Sequence, residues 1–343
     1  MQLKKILSIL PSIQKIKIRS EADYYGASYL VAKKLNLPFP PISYTGWRHG
    51  WLLQPLKYEV QVTKTSDSEF CTKFLVPLKE HELFLRNIGI DAKAVGMPFV
   101  YAEDIVTEKI ERVKNSLLVM PPHTLPHLEN KENDEHAYVK LINDLKNKFD
   151  LIVVCLHQSC IEKRLWVDAF EKYDIPWIIG ADARDRNSLI RMYKIFNSFE
   201  FMTTNMIGSH VAYAAYCGCK VSIYGKYIES SKKEFINDPI YKKYPFYMEY
   251  NLKHSSEKYI RDSFEFLFSL PFDAKIRIQW AEEQLGKENK VTFSKLAKLL
   301  GWELHDQITL YPRYFYFKIK KRIKHIIIRI KSILQEVIKS EGS

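Results

Sequence analysis

The chain has 343 residues, 46% of them hydrophobic and 27% charged, with a formal net charge of +12 at pH 7. These values exclude a disordered or fibrous chain and suit a soluble protein of two domains or one large one. The positive balance favours phosphorylated ligands, nucleic acid or an anionic membrane face. Five cysteines without framework spacing indicate reduced thiols in a cytosolic setting.

The amino terminus has a basic start, but its apolar run is broken by Pro11 and no small-residue cleavage site follows, so no signal peptide is read. No run of about eighteen apolar residues marks a spanning helix. Glu21 to Asn36 reads as a helix burying Ala27, Leu30, Val31 and Leu35, with Asp23, Tyr24, Tyr25 and Gly26 at its start. Trp47-Arg48-His49-Gly50-Trp51 follows as a loop. A histidine between aromatic walls can serve as a base near neutral pH; the same pattern also describes a packed tryptophan pair with a surface histidine. KFLVP then reads as a strand, KEHELFLRNIG as a helix ending at Gly89, and DAKAVGMPFVYAE as a strand leaving through Gly96 and Pro98.

From Ser116 to Gly225 strands and helices alternate, which implies a parallel sheet with right-handed crossovers. The strands are SLLVM, DLIVVCLH, IPWIIG, FEFMTT and CKVSIYG. Ligands of such sheets sit outside the carboxyl ends of the strands. His123, Thr124 and His127 fall in the loop after the first strand, and His157, Gln158 and Ser159 at the end of the second. The loop Gly180–Ser188 carries Asp182, Arg184 and Arg186; the arginines suit a diphosphate. The turn Thr203–His210 leads into a helix start at Gly208, Ser209 and His210, where unpaired N–H groups and the helix dipole suit a phosphate. There is no G-x-G-x-x-G and no G-x-x-x-x-G-K-[ST], so plain dinucleotide binding and P-loop hydrolysis are poorly supported. Cys217 and Cys219 lack a second cysteine pair, which argues against zinc.

Residues 226–303 read as charged helices with structural roles. From Tyr311, Ile319, Ile323, Ile326, Ile327, Ile330, Leu334 and Val337 recur at helical spacing. Arg313, Lys318, Lys320, Lys321, Arg322, Lys324, Arg329 and Lys331 surround them, after the aromatic run Tyr314 to Phe317. An aromatic start and a basic amphipathic helix describe a segment lying on an anionic membrane, here Tyr311 to Ile338. Docking of the isoleucine face on the protein body and nucleic-acid binding are the competing readings; the clustering of basic residues in the tail disfavours nucleic acid.

Two α/β units, the Gly96-x-Pro98 crossing and the phosphate-type turn at Gly208 together resemble the GT-B glycosyltransferases. The His49-Gly50-Trp51 loop, KFLVPLKEHELFLRNIG and the Pro121-Pro122-His123-Thr124 loop look like bacterial enzymes that build O-antigen, capsule or lipooligosaccharide. The resemblance covers about Ile18 to Gly225. It implies two Rossmann-like units facing across a cleft: 1–98 for the acceptor, 99–230 for a nucleotide-sugar, 231–305 helical, and 306–343 a membrane-associating tail. It implies sugar transfer to a glycan or lipid-linked acceptor on the inner membrane face, with no cofactor beyond the co-substrate and no obligate metal. The absence of a D-x-D triplet agrees with the last point. The spaced carboxylate pair of retaining members and the His-Pro dipeptide of CMP-sugar enzymes are not found, so stereochemistry stays open.

On this reading His123, Thr124, Asp182, Arg184, Arg186, Thr204, Asn205, Gly208, Ser209 and His210 bind the donor. Tyr24, Tyr25, Trp47, Arg48 and Trp51 face the acceptor. His49, or else Asp23, removes the acceptor proton. A glycerophosphate- or phosphosugar-type transferase of the same fold and a non-catalytic membrane- or nucleic-acid-binding protein are the alternatives.

Overall fold

The computed structural model describes residues 2–63, 69–123 and 134–341; Thr124 and His127 lie outside them. Two parallel sheets organise the chain. The first contains β1 (Thr45–Trp47), β2 (Lys73–Val76) and β3 (Asp91–Ala94) in sequential order. The helix Lys79–Asn87 crosses between β2 and β3 and buries Leu85. The second contains β4 (Val113–Val119), β5 (Leu151–Leu156), β6 (Trp177–Ile179), β7 (Phe199–Thr204) and β8 (Lys220–Ile223), ordered β6-β5-β4-β7-β8. Its strands read as continuous apolar runs because helices cover both faces: Leu118, Val153 and Met202 are fully buried on one side, Leu117 and Val154 on the other. The strand order reverses between β4 and β7, which opens a crevice at their carboxyl ends. The fold is thus α/β, with two Rossmann-like units, the first smaller.

Three local departures from the sequence reading concern the site. The helix expected from Glu21 starts as a broken turn: Tyr24 is extended (ψ 137°), Tyr25 is left-handed (φ 55°), and regular helix begins only at Ala27. The strand expected to run through Gly96 ends at Ala94, and Pro98–Asp104 is a 3-10 helix. The third departure concerns the unit boundary. The segment 9–19 belongs by sequence to the first unit, yet it runs along the second. Gln14 N–H donates to Asp185 Oδ1 at 2.8 Å, Ile16 N–H to the Arg184 carbonyl at 2.7 Å, and Arg191 reaches the Pro11 carbonyl at 2.7 Å.

The helices after residue 230 do more than cover one face. Ile276 bridges to Lys220 at the edge of the second sheet. The Met97 N–H donates to the Leu285 carbonyl at 2.9 Å, and Tyr44 N–H to the Leu300 carbonyl at 3.0 Å, so the chain crosses back and fastens the first unit. The final helix, Tyr311–Glu341, docks through its first turns. There Tyr314 and Phe317 pack on Phe70, with ring centroids 5.2 and 5.0 Å apart, beside Tyr44. Beyond them Ile319, Ile323, Ile326, Ile327 and Ile330 are exposed. Among the described residues no helix is long and apolar enough to cross a membrane.

Candidate functional site

The two loops singled out in the sequence, 158 residues apart, touch. β1 delivers Arg48–Trp51 from its carboxyl end, and the helix Ser209–Tyr216 starts after β7. The Trp51 backbone N–H donates to Ser209 Oγ at 2.9 Å. One helical turn on, the Tyr213 hydroxyl donates to the His49 carbonyl at 2.5 Å. Trp51 itself is buried against Phe264 and Trp280, and its indole N–H reaches Gln284 at 3.3 Å. Trp47 is fully buried with its N–H on the Gly96 carbonyl. Both tryptophans therefore hold the loop, and only the residues between them are left to face a ligand.

His49 sits beside Tyr24 and Tyr25, at ring-centroid distances of 5.3 and 4.9 Å. Its Nδ1 is enclosed and has no hydrogen-bond partner among the described residues, as is Arg48 Nε. Burial, helped by the neighbouring Arg48 charge, pushes the His49 imidazole down to about 3. The ring is therefore neutral at pH 7 and a weaker base than a free imidazole. A cavity of about 240 Å³ opens beside it, lined by Glu21, Arg48, His49, Asp238, Tyr241 and Tyr247 among others. Glu21 reaches this position because residue 46 is glycine: a Cβ there would lie 2.8 Å from Glu21 Oε2 and 2.7 Å from the Phe74 ring.

Asp23 is differently placed. It is fully buried; its carboxylate accepts from Arg19 N at 2.9 Å, Arg19 Nε at 3.2 Å and the Ser28 hydroxyl at 2.6 Å. A carboxylate so saturated fixes the broken turn.

At the second sheet, histidines gather at the carboxyl ends of three strands. His123 follows β4 and stacks on His157, which follows β5, with centroids 4.8 Å apart. His157 Nδ1 accepts from the Ser159 N–H at 3.2 Å, so the proton resides on Nε2, an enclosed donor with no partner among the described residues. Burial, then the His123 charge, lowers His157 to about 3. His210, after β7, is lowered to about 3 by the same two causes in the same order. Its Nε2 lies 3.1 Å from Thr204 Oγ1, whose hydroxyl donates to the Met206 carbonyl at 3.0 Å. His210 and Thr204 thus brace their own turn. Ser209 Oγ is engaged by Trp51 and the Val211 N–H by the Gly208 carbonyl at 3.0 Å, which leaves the Ser209 and His210 backbone N–H groups as the turn's open donors among the described residues. Asn205 is buried, with Nδ2 on the Lys226 carbonyl and Oδ1 enclosed without a partner among the described residues. Tyr25 links the two groups of rings, 4.9 Å from His49 and 6.4 Å from His157.

The loop expected to neutralise a diphosphate is held in place through its backbone. Asp182 N–H is held by the Ser188 hydroxyl at 2.9 Å and Asp182 Oδ1 accepts from Arg184 N at 2.8 Å. The Arg186 carbonyl lies so close to Gly26 that a Cβ would be 2.0 Å away. Asp182, Arg184 and Arg186 therefore scaffold the contact between units through their backbone. The structure adds Glu21, His157, Tyr241 and Tyr247 to the residues around the crevice. His157 was visible as a strand-end histidine; the others carry no motif. Among the described residues no group of three or more His, Cys, Asp or Glu side chains is arranged to hold a metal ion.

No protein-family model matches this chain and no curated protein matches its sequence. Among solved structures it is similar to the pneumococcal O-GlcNAc transferase GtfA, crystallised with UDP and GlcNAc. The identity is 13% and the TM-score 0.32, and the match covers 76% of this chain and 52% of that one. The chain thus spans about half the length of that transferase, and the fold assignment above stands on strand order alone.

Proposed function

We propose that this chain is a glycosyltransferase that moves a sugar from a nucleotide-sugar to a glycan or lipid-linked acceptor. The observation that carries the reading is the contact between the His49 loop and the helix start at Ser209. It sets a neutral, enclosed imidazole beside the crevice where the strand order reverses, the usual place for a nucleotide in such sheets.

The donor diphosphate lies over the first-turn N–H groups of the Ser209–Tyr216 helix, within reach of His123 and His157. The acceptor hydroxyl attacks the anomeric carbon as the bond from that carbon to the phosphate oxygen breaks. Its proton passes to His49, and the negative charge growing on the leaving phosphate is stabilised by preorganised N–H donors. His210 and Thr204 position the turn. No step requires a metal ion. The exposed isoleucines and basic residues after Phe317 support a resting place on an anionic membrane face, where a lipid-linked acceptor is presented.

Release of free nucleotide from UDP-, GDP-, CMP- and dTDP-sugars, measured with and without a bacterial membrane extract as acceptor, tests the reading. Extract-dependent release from one nucleotide family is expected, together with loss of that release in His49→Ala. Release unaffected by His49→Ala would remove the proton-transfer role, and no release from any donor would oppose the transferase reading.

A further inference from the structure

The acceptor-side cavity has a composition that discriminates among acceptors. Two carboxylates, Glu21 and Asp238, share its wall with one guanidinium, Arg48, and a neutral imidazole, His49. Arg48 Nε and His49 Nδ1 are enclosed and have no partner among the described residues. An anionic group would meet two carboxylates for one arginine. An aliphatic chain would leave both groups unsatisfied. A polyol satisfies both kinds of wall, since each hydroxyl donates to a carboxylate and accepts from an N–H. Tyr241 and Tyr247, 5.3 Å apart by ring centroids, add aromatic faces. At about 240 Å³ the cavity falls below the roughly 300 Å³ where pockets for drug-sized ligands begin, which suits a single ring.

The surface beside the cavity continues the theme. Tyr58 stands two residues before Val60, and Phe246 precedes Tyr247; both Val60 and Tyr247 line the cavity. Tyr58 packs at 4.8 Å from Phe246 and 5.3 Å from Tyr250, while Tyr244 lies 5.9 Å from Phe246. Lys57 sits over the Tyr58 and Tyr250 rings. Phe246 is 47% exposed. This aromatic platform is held to the first unit by hydrogen bonds from Gln54 to Asn251 and from the Tyr250 hydroxyl to the Pro55 carbonyl, each 3.0 Å. The exposed Phe246 among the half-buried Tyr58, Tyr244 and Tyr250 forms an aromatic surface continuous with the cavity.

We infer that the acceptor is a neutral oligosaccharide of at least two or three units, with its terminal ring in the Glu21–Arg48–Tyr247 cavity and the following rings stacked along Tyr58, Phe246 and Tyr250. The inference rests on the transferase reading for the direction of transfer, but it predicts glycan binding without any donor. The helices between residues 232 and 255 thereby acquire a role in acceptor selection.

The test is calorimetric titration of the full chain with neutral gluco-, galacto-, manno- and N-acetylglucosamine oligomers of one to four units, and with uronic-acid oligomers of the same lengths. We expect one neutral series to gain at least about tenfold in affinity from one unit to three, and Phe246→Ala, which changes an exposed residue, to flatten that gain. Equal affinity for one and three units, preference for the acidic series, no binding by any oligomer, or an unchanged length dependence in Phe246→Ala would each overturn the inference. Wild-type protein is titrated with the nucleotide-sugars in parallel. Nucleotide binding without glycan binding removes this inference and leaves the transferase reading standing. Glycan binding without nucleotide binding does the reverse and describes a carbohydrate-binding protein.

Discussion

Replacing Gly26 by alanine should separate the two units more effectively than any change in the site itself. Gly26 has φ 79°, and a Cβ would stand 2.0, 2.5 and 2.9 Å from the Arg186 carbonyl oxygen, carbon and Cα. Every clashing atom is backbone, so no side chain can swing away. The left-handed conformation costs alanine about 1–2 kcal/mol. Displacing residues 24–26 also strains the Tyr25 N–H bond to the Ala183 carbonyl, 2.9 Å long, for about another 1 kcal/mol. Relieving the clash itself adds roughly 1–2 kcal/mol, as overpacking does, for a total of roughly 4 kcal/mol. With about 2.1 cal/mol/K of unfolding entropy per residue over 343 residues, 1 kcal/mol moves a cooperative Tm by about 1.4 °C, so the expected loss is about 5–6 °C. Gly89→Ala is the control: φ is 80° with nothing within 4 Å, so only the conformational cost applies and about 2 °C is expected. Differential scanning calorimetry of both variants decides. Equal shifts would mean that the two units are not pinned at Gly26, and a Gly26→Ala protein with unchanged nucleotide release in the proposed assay would refute the placing of Tyr25 between His49 and His157.

Further outcomes follow from the same geometry. His49, His157 and His210 are lowered to about 3 and His81 to about 4, burial being the first cause in each. The unfolded chain therefore binds more protons below about pH 6.5, and stability falls with falling pH. At about pH 5.5 each histidine costs about 1.4 kcal/mol, roughly 6 kcal/mol in total; a Tm flat from pH 7 to 5 would contradict their burial. Ser209→Ala and Tyr213→Phe each remove one hydrogen bond between the His49 loop and the second unit, and each should cost about 1 kcal/mol. Their double-mutant cycle should show coupling, because both bonds hold one loop, and strict additivity would argue against a shared contact. Truncation after Lys318 should leave Tm unchanged and abolish sedimentation with phosphatidylserine vesicles. Truncation before Tyr311 should also lower Tm, since Tyr314 and Phe317 are then lost from Tyr44 and Phe70.

The alternation of apolar runs and helical spacing made the second sheet legible strand by strand, because a parallel sheet covered on both faces leaves a period-free apolar signature. The strand-end turn at Gly208 was legible for the same reason. What the sequence hid is tertiary. Nothing local shows that the Arg186 carbonyl abuts Gly26. Nothing local shows that Asp23 is claimed by Arg19 and Ser28. The run of segment 9–19 along the second unit depends on Asp185 accepting from Gln14, a pairing across 171 positions. Tyr241 and Tyr247 lie in a stretch whose helical pattern gives no hint that one face turns to a cavity.

The most direct test of a nucleotide site in the β4–β7 crevice is a thermal-shift panel of UDP-, GDP-, CMP- and dTDP-sugars on wild type and His157→Ala. Ligand at a hundredfold excess over Kd stabilises by about 2.7 kcal/mol, or about 4 °C here by the entropy above. One nucleotide family should raise wild-type Tm by that amount, and the same family should give a clearly smaller rise in His157→Ala. A flat response to every nucleotide from a protein that melts cooperatively would contradict the account.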